Sequence, residues 1–174
     1  MKIAITGKMC SGKSSIANVL LEKDSRFKIY SFGQKVKDVA KDLFDMKEKN
    51  RTLLTSIGTK MRDIDPDVWI NYLIRQTKDH SHCIVDDLRY QNEYEALSKA
   101  GFKIIQLTID PKTQEERIKK VYPKNYQDHL NNRDHLSERN EFQWFENDNP
   151  LMIDSGKETI EIIIEKINLY IDIK

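Results

Sequence analysis

Residues Gly7-Lys8-Met9-Cys10-Ser11-Gly12-Lys13-Ser14 match the pattern GxxxxGK[ST] in full. Glycines at the two fixed positions let a chain curl so that successive N–H groups point inward at phosphate oxygens, and a following helix adds partial positive charge at its N-terminus. The lysine of such a loop reaches the β- and γ-phosphates, and the next hydroxyl ligates Mg²⁺. Gly7, Met9, Cys10, Ser11, Gly12, Lys13, Ser14 and Ser15 are therefore the candidate nucleotide-binding residues, with Cys10 a small filler of the loop.

A second acidic centre is needed beside a metal–phosphate site. Ile84-Val85-Asp86-Asp87 supplies it: an apolar strand ending in two carboxylates, either of which could position Mg²⁺ with Ser14. A guanine-nucleotide switch would carry DxxG after that strand and NKxD later. Here Arg89 and Tyr90 stand where the glycine would be, and no NKxD occurs. Motor and AAA-type ATPase domains are normally longer, which favours a small-molecule kinase. Phosphoryl transfer asks little covalent chemistry of a protein; positioning and charge stabilisation carry it, and arginines from several loops are the usual means. Arg62, Arg89, Arg117, Arg133 and Arg139 are available. Arg89 stands out because it follows the acidic strand, and the crevice beyond the carboxyl ends of a parallel sheet is where ligands bind.

The elements that must hold these residues alternate along the chain. Lys2–Thr6 reads as a strand, Lys13–Glu22 as a helix, Phe27–Phe32 as a second strand, and Gln34–Lys47 as a helix with Val36, Val39, Ala40, Leu43 and Phe44 on one stripe. Val68–Lys78 is helical; His82–Val85 is a buried strand; Tyr90–Ala100 is a helix closed by Gly101; Phe102–Ile109 is a strand. Asp110-Pro111 opens a helix with a capping carboxylate and a first-turn proline. Leu151–Ile153 is a last strand, and Ser155-Gly156-Lys157-Glu158 has the form of a capping box before an isoleucine-striped final helix. Strand–helix alternation predicts a parallel sheet covered on both faces. Tyr122–Asn149 breaks the pattern: polar and asparagine-rich, it is either a disordered insert or a functional lid.

The 174 residues carry 29 basic and 28 acidic side chains, a net charge of +1, so bulk charge does not draw the chain to nucleic acid. Mean hydropathy is −0.66, and no apolar run reaches the roughly 18 residues a membrane span needs. Cys10 and Cys83 lie far apart in sequence outside any metal-ligand pattern, and the four histidines fall in polar loops, so a disulfide framework or zinc site is not expected. These features fit one cytoplasmic domain.

Three segments resemble the phage-type deoxynucleoside monophosphate kinases. Leu53-Leu54 through Gly58-Thr59 and Arg62-Asp63-Ile64-Asp65-Pro66-Asp67-Val68-Trp69 is similar to their LLxxxGTxxxRxIDPDxW-like segment, Asp87-Leu88-Arg89-Tyr90-Gln91-Asn92-Glu93 to DVRFPNE, and His135-Leu136-Ser137-Glu138 to HPSE. The resemblance implies a P-loop NTPase fold, a three-layer α/β/α sandwich on a five-stranded parallel sheet, with a small lid near residues 115–145. It implies transfer of a phosphoryl group from ATP, with Mg²⁺, to a nucleoside or deoxynucleoside 5′-monophosphate. Arg62, Asp87, Arg89, Asn92 and Glu93 then fall in the acceptor site, with Trp69 the neighbour of an acceptor base. Lys13, Asp87 and Arg89 act at the transferring group together with Arg133 and Arg139 of the lid. The chain departs from the family at Tyr90 and Gln91, which replace phenylalanine and proline, at Leu136, and in the Gly33–Lys37 turn. That turn lacks the usual acidic form, and Lys37 at its end joins the acceptor candidates. Dephospho-coenzyme A, phosphomevalonate and polynucleotide 5′-ends are rival acceptors, a non-catalytic nucleotide sensor is a rival of another class, and a monomer or homodimer is expected.

Overall fold

The computed structural model describes residues 1–131, 133, 138 and 141–172. Five strands, β1 (Lys2–Gly7), β2 (Lys28–Tyr30), β3 (Cys83–Leu88), β4 (Lys103–Thr108) and β5 (Leu151–Asp154), form one sheet in the order β2-β3-β1-β4-β5, with every pairing parallel. Parallel strands are buried on both faces, which is why their sequences are nearly continuous apolar runs. The side chains of β1, β3 and β4 divide by alternation. Ile3, Ile5, Ile84, Ile105 and Leu107 enter one core cluster. Ala4, Cys83, Val85 and Ile104 enter the other. This is the three-layer α/β/α arrangement of P-loop NTPases.

Helices α1 (Lys13–Lys23) and α8 (Ile160–Asp172) close the first face through Ile16, Leu20, Ile163, Ile164 and Ile167. The opposite face is closed by α2 (Phe32–Phe44), α3 (Arg51–Ile64), α4 (Val68–Thr77) and α5 (Gln91–Lys99), through Val36, Ala40, Ile57, Leu73, Tyr94 and Leu97. Gly101, at φ +78°, ends α5 as its position predicts. Asp110 caps α6 (Pro111–Val121), accepting from Lys112 N at 3.1 Å and Thr113 N at 3.0 Å.

Four local expectations are corrected. The span 51–64 forms a helix beyond those the alternation predicts, α3, begun by Asn50, whose side chain accepts from Leu53 N at 2.9 Å. The stripe of α2 stops short: Leu43 and Phe44, in its last turn, are exposed. β2 is only three residues long, and α2 begins already at Phe32. Ser155 forms no capping box; its hydroxyl donates to Thr108 O at 3.0 Å, and α8 starts later, at Ile160.

The polar stretch after α6 is anchored to the domain at several described residues. A short helix, α7 (Tyr126–Asn131), follows, with His129 buried against the Tyr122 ring. Phe142 and Trp144 pack on Tyr94, whose hydroxyl donates to Asp148 Oδ2 and accepts from Phe145 N, both at 2.6 Å. Of the HPSE-like element, His135, Leu136 and Ser137 lie outside the described residues, as does Arg139.

Candidate active site

β1 and β3 are neighbours, so the loop after one and the acids ending the other arrive at the same edge of the sheet. Ala4 pairs with Val85 and Thr6 with Leu88, which leaves one extra residue in β3 beside β1. That bulge falls on Asp86-Asp87, and bulges characteristically re-aim side chains next to sites. The two carboxylates part company there. Asp86 Oδ2 accepts from Ser14 Oγ at 2.8 Å, and burial raises its pKa above the usual aspartate value. Asp87 turns to α2, accepting from Ser31 Oγ at 2.6 Å, Phe32 N at 2.9 Å and Gly33 N at 2.8 Å. It is the anion at the N-terminus of α2, a position the helix dipole favours. Of the two metal candidates, Asp86 is therefore the one joined to Ser14. Asp87 is held by three donors of another element.

The loop has the backbone its glycines imply. Gly7 has φ +149°, and a Cβ there would lie 2.8 Å from Leu107 O. Gly12 has φ +95°, and Cys10 also lies at positive φ, 60°. Lys13 is buried, its Nζ donating to Gly7 O at 2.6 Å and Lys8 O at 2.9 Å. Burial first, and the Arg89 charge second, lower its pKa to about 8. Ser11 Oγ is buried with no hydrogen-bond partner among the described residues. The N–H of Met9 already holds an anion, donating to Glu138 Oε2 at 2.7 Å. An orphaned hydroxyl, a buried ammonium and an amide gripping a carboxylate suit phosphate oxygens. Ser14 with Asp86 offers the hard oxygens Mg²⁺ prefers, water and phosphate completing the shell. No cluster of three or more His, Cys, Asp or Glu side chains that could hold a metal occurs among the described residues.

Two cavities flank this loop. One, of about 500 Å³, is lined by Cys10–Ile16 together with Arg117, Tyr122 and Ser155. Arg117 bridges it, donating to Cys10 O at 3.4 Å and Ser155 O at 2.7 Å. The other, of about 680 Å³, lies between α2, α3 and the end of β3; Lys37, Arg62, Asp87, Arg89, Tyr90 and Glu93 are among its walls. Arg62 stacks on the Tyr90 ring with its guanidinium 4.6 Å from the centroid, and its Nη2 lies 3.5 Å from Glu93 Oε1. Glu93 is almost wholly buried, its Oε2 accepting from Arg89 N at 3.0 Å and Tyr90 N at 3.1 Å. Burial, reinforced by the Asp87 charge, pushes its pKa up to about 7.

Three described candidates for the acceptor site or the transferring group fall outside these cavities. Trp69 is a core residue, 4% exposed, with Nε1 donating to Gly58 O at 3.2 Å; its helix turns it toward Ile70 and Leu73 rather than a ligand. Asn92 is half-buried and donates to Asp67 Oδ1 at 2.9 Å, tying α5 to the start of α4. Arg133 lies 3.9 Å from Glu115 of α6, drawn there by its charge, and lines neither cavity. Conversely, Tyr90, Arg117 and Glu138 carry roles that their sequence context does not single out. All three face the site.

The fold and its loop define a P-loop domain with a kinase-like sheet order. The chain belongs to the AAA_18 family, described as an AAA domain, whose model matches residues 3–149. Length therefore does not set it apart from families of that description, contrary to the expectation from its size. No curated protein matches the sequence. Among solved structures it is similar to an uncharacterized protein from Eubacterium ventriosum (20% identity, TM-score 0.60, covering 100% of this chain and 99% of that one). It is also similar to a sugar kinase from Janibacter sp. HTCC2649 (15% identity, TM-score 0.57, 99% and 94% covered). A gluconokinase from Sinorhizobium meliloti is a third neighbour (12% identity, TM-score 0.55, 99% and 97% covered). At these identities the likeness is one of fold. No helix among the described residues is long and apolar enough to cross a membrane.

Proposed function

We propose that the chain transfers the γ-phosphoryl group of ATP to the 5′-phosphate of a nucleoside or deoxynucleoside monophosphate. One observation carries the acceptor assignment. Leu54, Gly58, Thr59 and Arg62 come from one segment that resembles the monophosphate kinases, and Asp87, Arg89, Tyr90 and Glu93 from another. All eight are walls of the same cavity beside the loop. Residues from segments far apart in sequence converge on one polar, hydroxyl-rich chamber that holds both Arg62 and Arg89, which suits a phosphate with a polar body.

ATP takes the cavity beside Arg117, its phosphates in the loop. The amides of the loop and Lys13 hold the β- and γ-oxygens. Mg²⁺, held by Ser14 and Asp86, would neutralise charge on those oxygens. Arg62 and Arg89 hold the acceptor phosphate with an oxygen facing the γ-phosphorus, and Lys37 lies on the same wall. As transfer proceeds, a bond forms from that oxygen to phosphorus, the bond to the β–γ bridging oxygen breaks, and ADP leaves with the electron pair. Arg89 and Lys13 face the charge that shifts between them. A cytoplasmic monomer or homodimer is part of the same reading.

The test is ADP release with ATP and Mg²⁺ against each ribo- and deoxyribonucleoside monophosphate, with Lys13→Ala as blank. Gluconate, dephospho-coenzyme A and phosphomevalonate serve as competing acceptors. Turnover on one or more monophosphates, lost in the variant, is the expected result. Turnover on a non-nucleotide alone would refute the acceptor assignment, and ATP binding without turnover on anything would refute the transfer.

A further inference from the structure

Glu138 is a buried carboxylate, 3% exposed, with both oxygens engaged at the site. Oε2 accepts from Met9 N at 2.7 Å, and Oε1 is paired with Arg89 Nη1. The Lys13 ammonium also feels its charge. Its location follows from the two cavities. The donor cavity is lined by the loop from Cys10 onward but not by Met9, whereas Arg89 and Glu138 line the acceptor cavity. The carboxylate therefore lines the acceptor cavity while reaching the phosphate loop at Met9.

We infer that Glu138 is an internal stand-in for phosphate, which the substrates must displace together. A loop amide, a guanidinium and a nearby ammonium are the donors that grip a phosphoryl oxygen, and a carboxylate satisfies them in the same geometry. Two anions cannot share that position, because like charges at contact disfavour one another strongly. ATP bound alone competes with Glu138 for the Met9 amide. An acceptor phosphate that takes Arg89 removes one of the carboxylate's partners, and so weakens the competitor that ATP meets. The acceptor then tightens ATP binding, and by linkage ATP tightens acceptor binding to the same degree. Unproductive loading of ATP without an acceptor is held down by the same residue.

The inference rests on the loop being a phosphate site, and the experiment separates the two. Inorganic tripolyphosphate is titrated calorimetrically into the wild type, Glu138→Gln and Glu138→Ala, each checked for a native melting transition. Glutamine keeps the size but turns its NH₂ toward a guanidinium that cannot accept from it, while alanine removes the group. Binding about tenfold tighter in a folded variant is expected, since a charge-assisted contact of this kind contributes on the order of one decade or more. ATP hydrolysis without acceptor should rise in the same variants. Equal or weaker binding than wild type would show that Glu138 only supports Arg89 and would overturn the inference. Absence of binding by every form, wild type included, would overturn the phosphate-site reading and this inference with it.

Discussion

The donor loop and the acceptor cavity lie on either side of Lys13 and Arg89, yet they are built differently. The loop is chiefly backbone: eight consecutive residues whose glycines set φ, with Lys13 anchored on Gly7 O and Lys8 O and Ser14 on Asp86. The acceptor cavity is side chain: Lys37 from α2, Arg62 from α3, Arg89 after β3 and Glu93 from α5, with Arg62 paired to Glu93 and Arg89 to Glu138 across distant segments. A backbone cradle tolerates change at its variable positions, so the loop specifies phosphate and little else. A chamber of side chains changes its ligand with each substitution, so the acceptor is where specificity resides.

The comparison breaks first at Lys13. Lys13→Ala should lower kcat/KM on the order of 10² or more, as loss of a preorganised charge stabiliser does, with acceptor binding retained; steady-state kinetics in both substrates is the check. On the other side, Arg62→Ala should raise the acceptor KM by about 10- to 100-fold and leave the ATP KM within about twofold, the loss of a hydrogen-bonded charge. An equal effect on both KM values would erase the division between the regions.

Glu93 sharpens the contrast through pH. Its folded pKa, about 7, stands above the ordinary glutamate value of 4.5, so between these two values the folded state binds more protons than the unfolded. Stability therefore falls as pH rises through that window and levels off above about pH 7, by on the order of 3 kcal/mol at most. Glu93→Gln should flatten that slope in denaturant titrations from pH 4.5 to 7.5; an unchanged slope would place its origin elsewhere. The smallest effect marks the cavity's boundary. Trp69→Phe should cost about 1–2 kcal/mol of stability from lost packing and the bond to Gly58 O, with acceptor KM unchanged. A shifted KM would return Trp69 to the ligand's neighbourhood.

The same contrast governs what could be read in the residues alone. A loop whose function is local geometry is written contiguously, and Gly7–Ser15 is found where its pattern lies. The sheet was equally legible, because strands buried on both faces are apolar throughout. The acceptor cavity is an assembly of distant pieces. Only a resemblance between whole segments brought Arg62, Arg89 and Glu93 together, and it brought Trp69 and Asn92 with them. Helical spacing argued otherwise for Trp69, since it shares a stripe with Leu73, a buried core position. The different roles of Asp86 and Asp87 were also within reach, because adjacent strand residues point to opposite faces. For α3 the signal lay in Asn50 before Leu53, Leu54, Ile57 and Met61 at helical spacing. For Glu138 the only signal was the HPSE-like element, and its burial follows from Met9 and Arg89, far away in sequence.

If the two cavities serve one transfer, a single bisubstrate probe should span both. Adenosine joined through five phosphates to the preferred nucleoside would place one end beside Arg117 and the other beside Tyr90. The account predicts binding at least about tenfold tighter than ATP, since joining two ligands makes the second contact intramolecular, weakened by Lys13→Ala and by Arg62→Ala alike. Binding no tighter than ATP, and indifferent to Arg62→Ala, would contradict it.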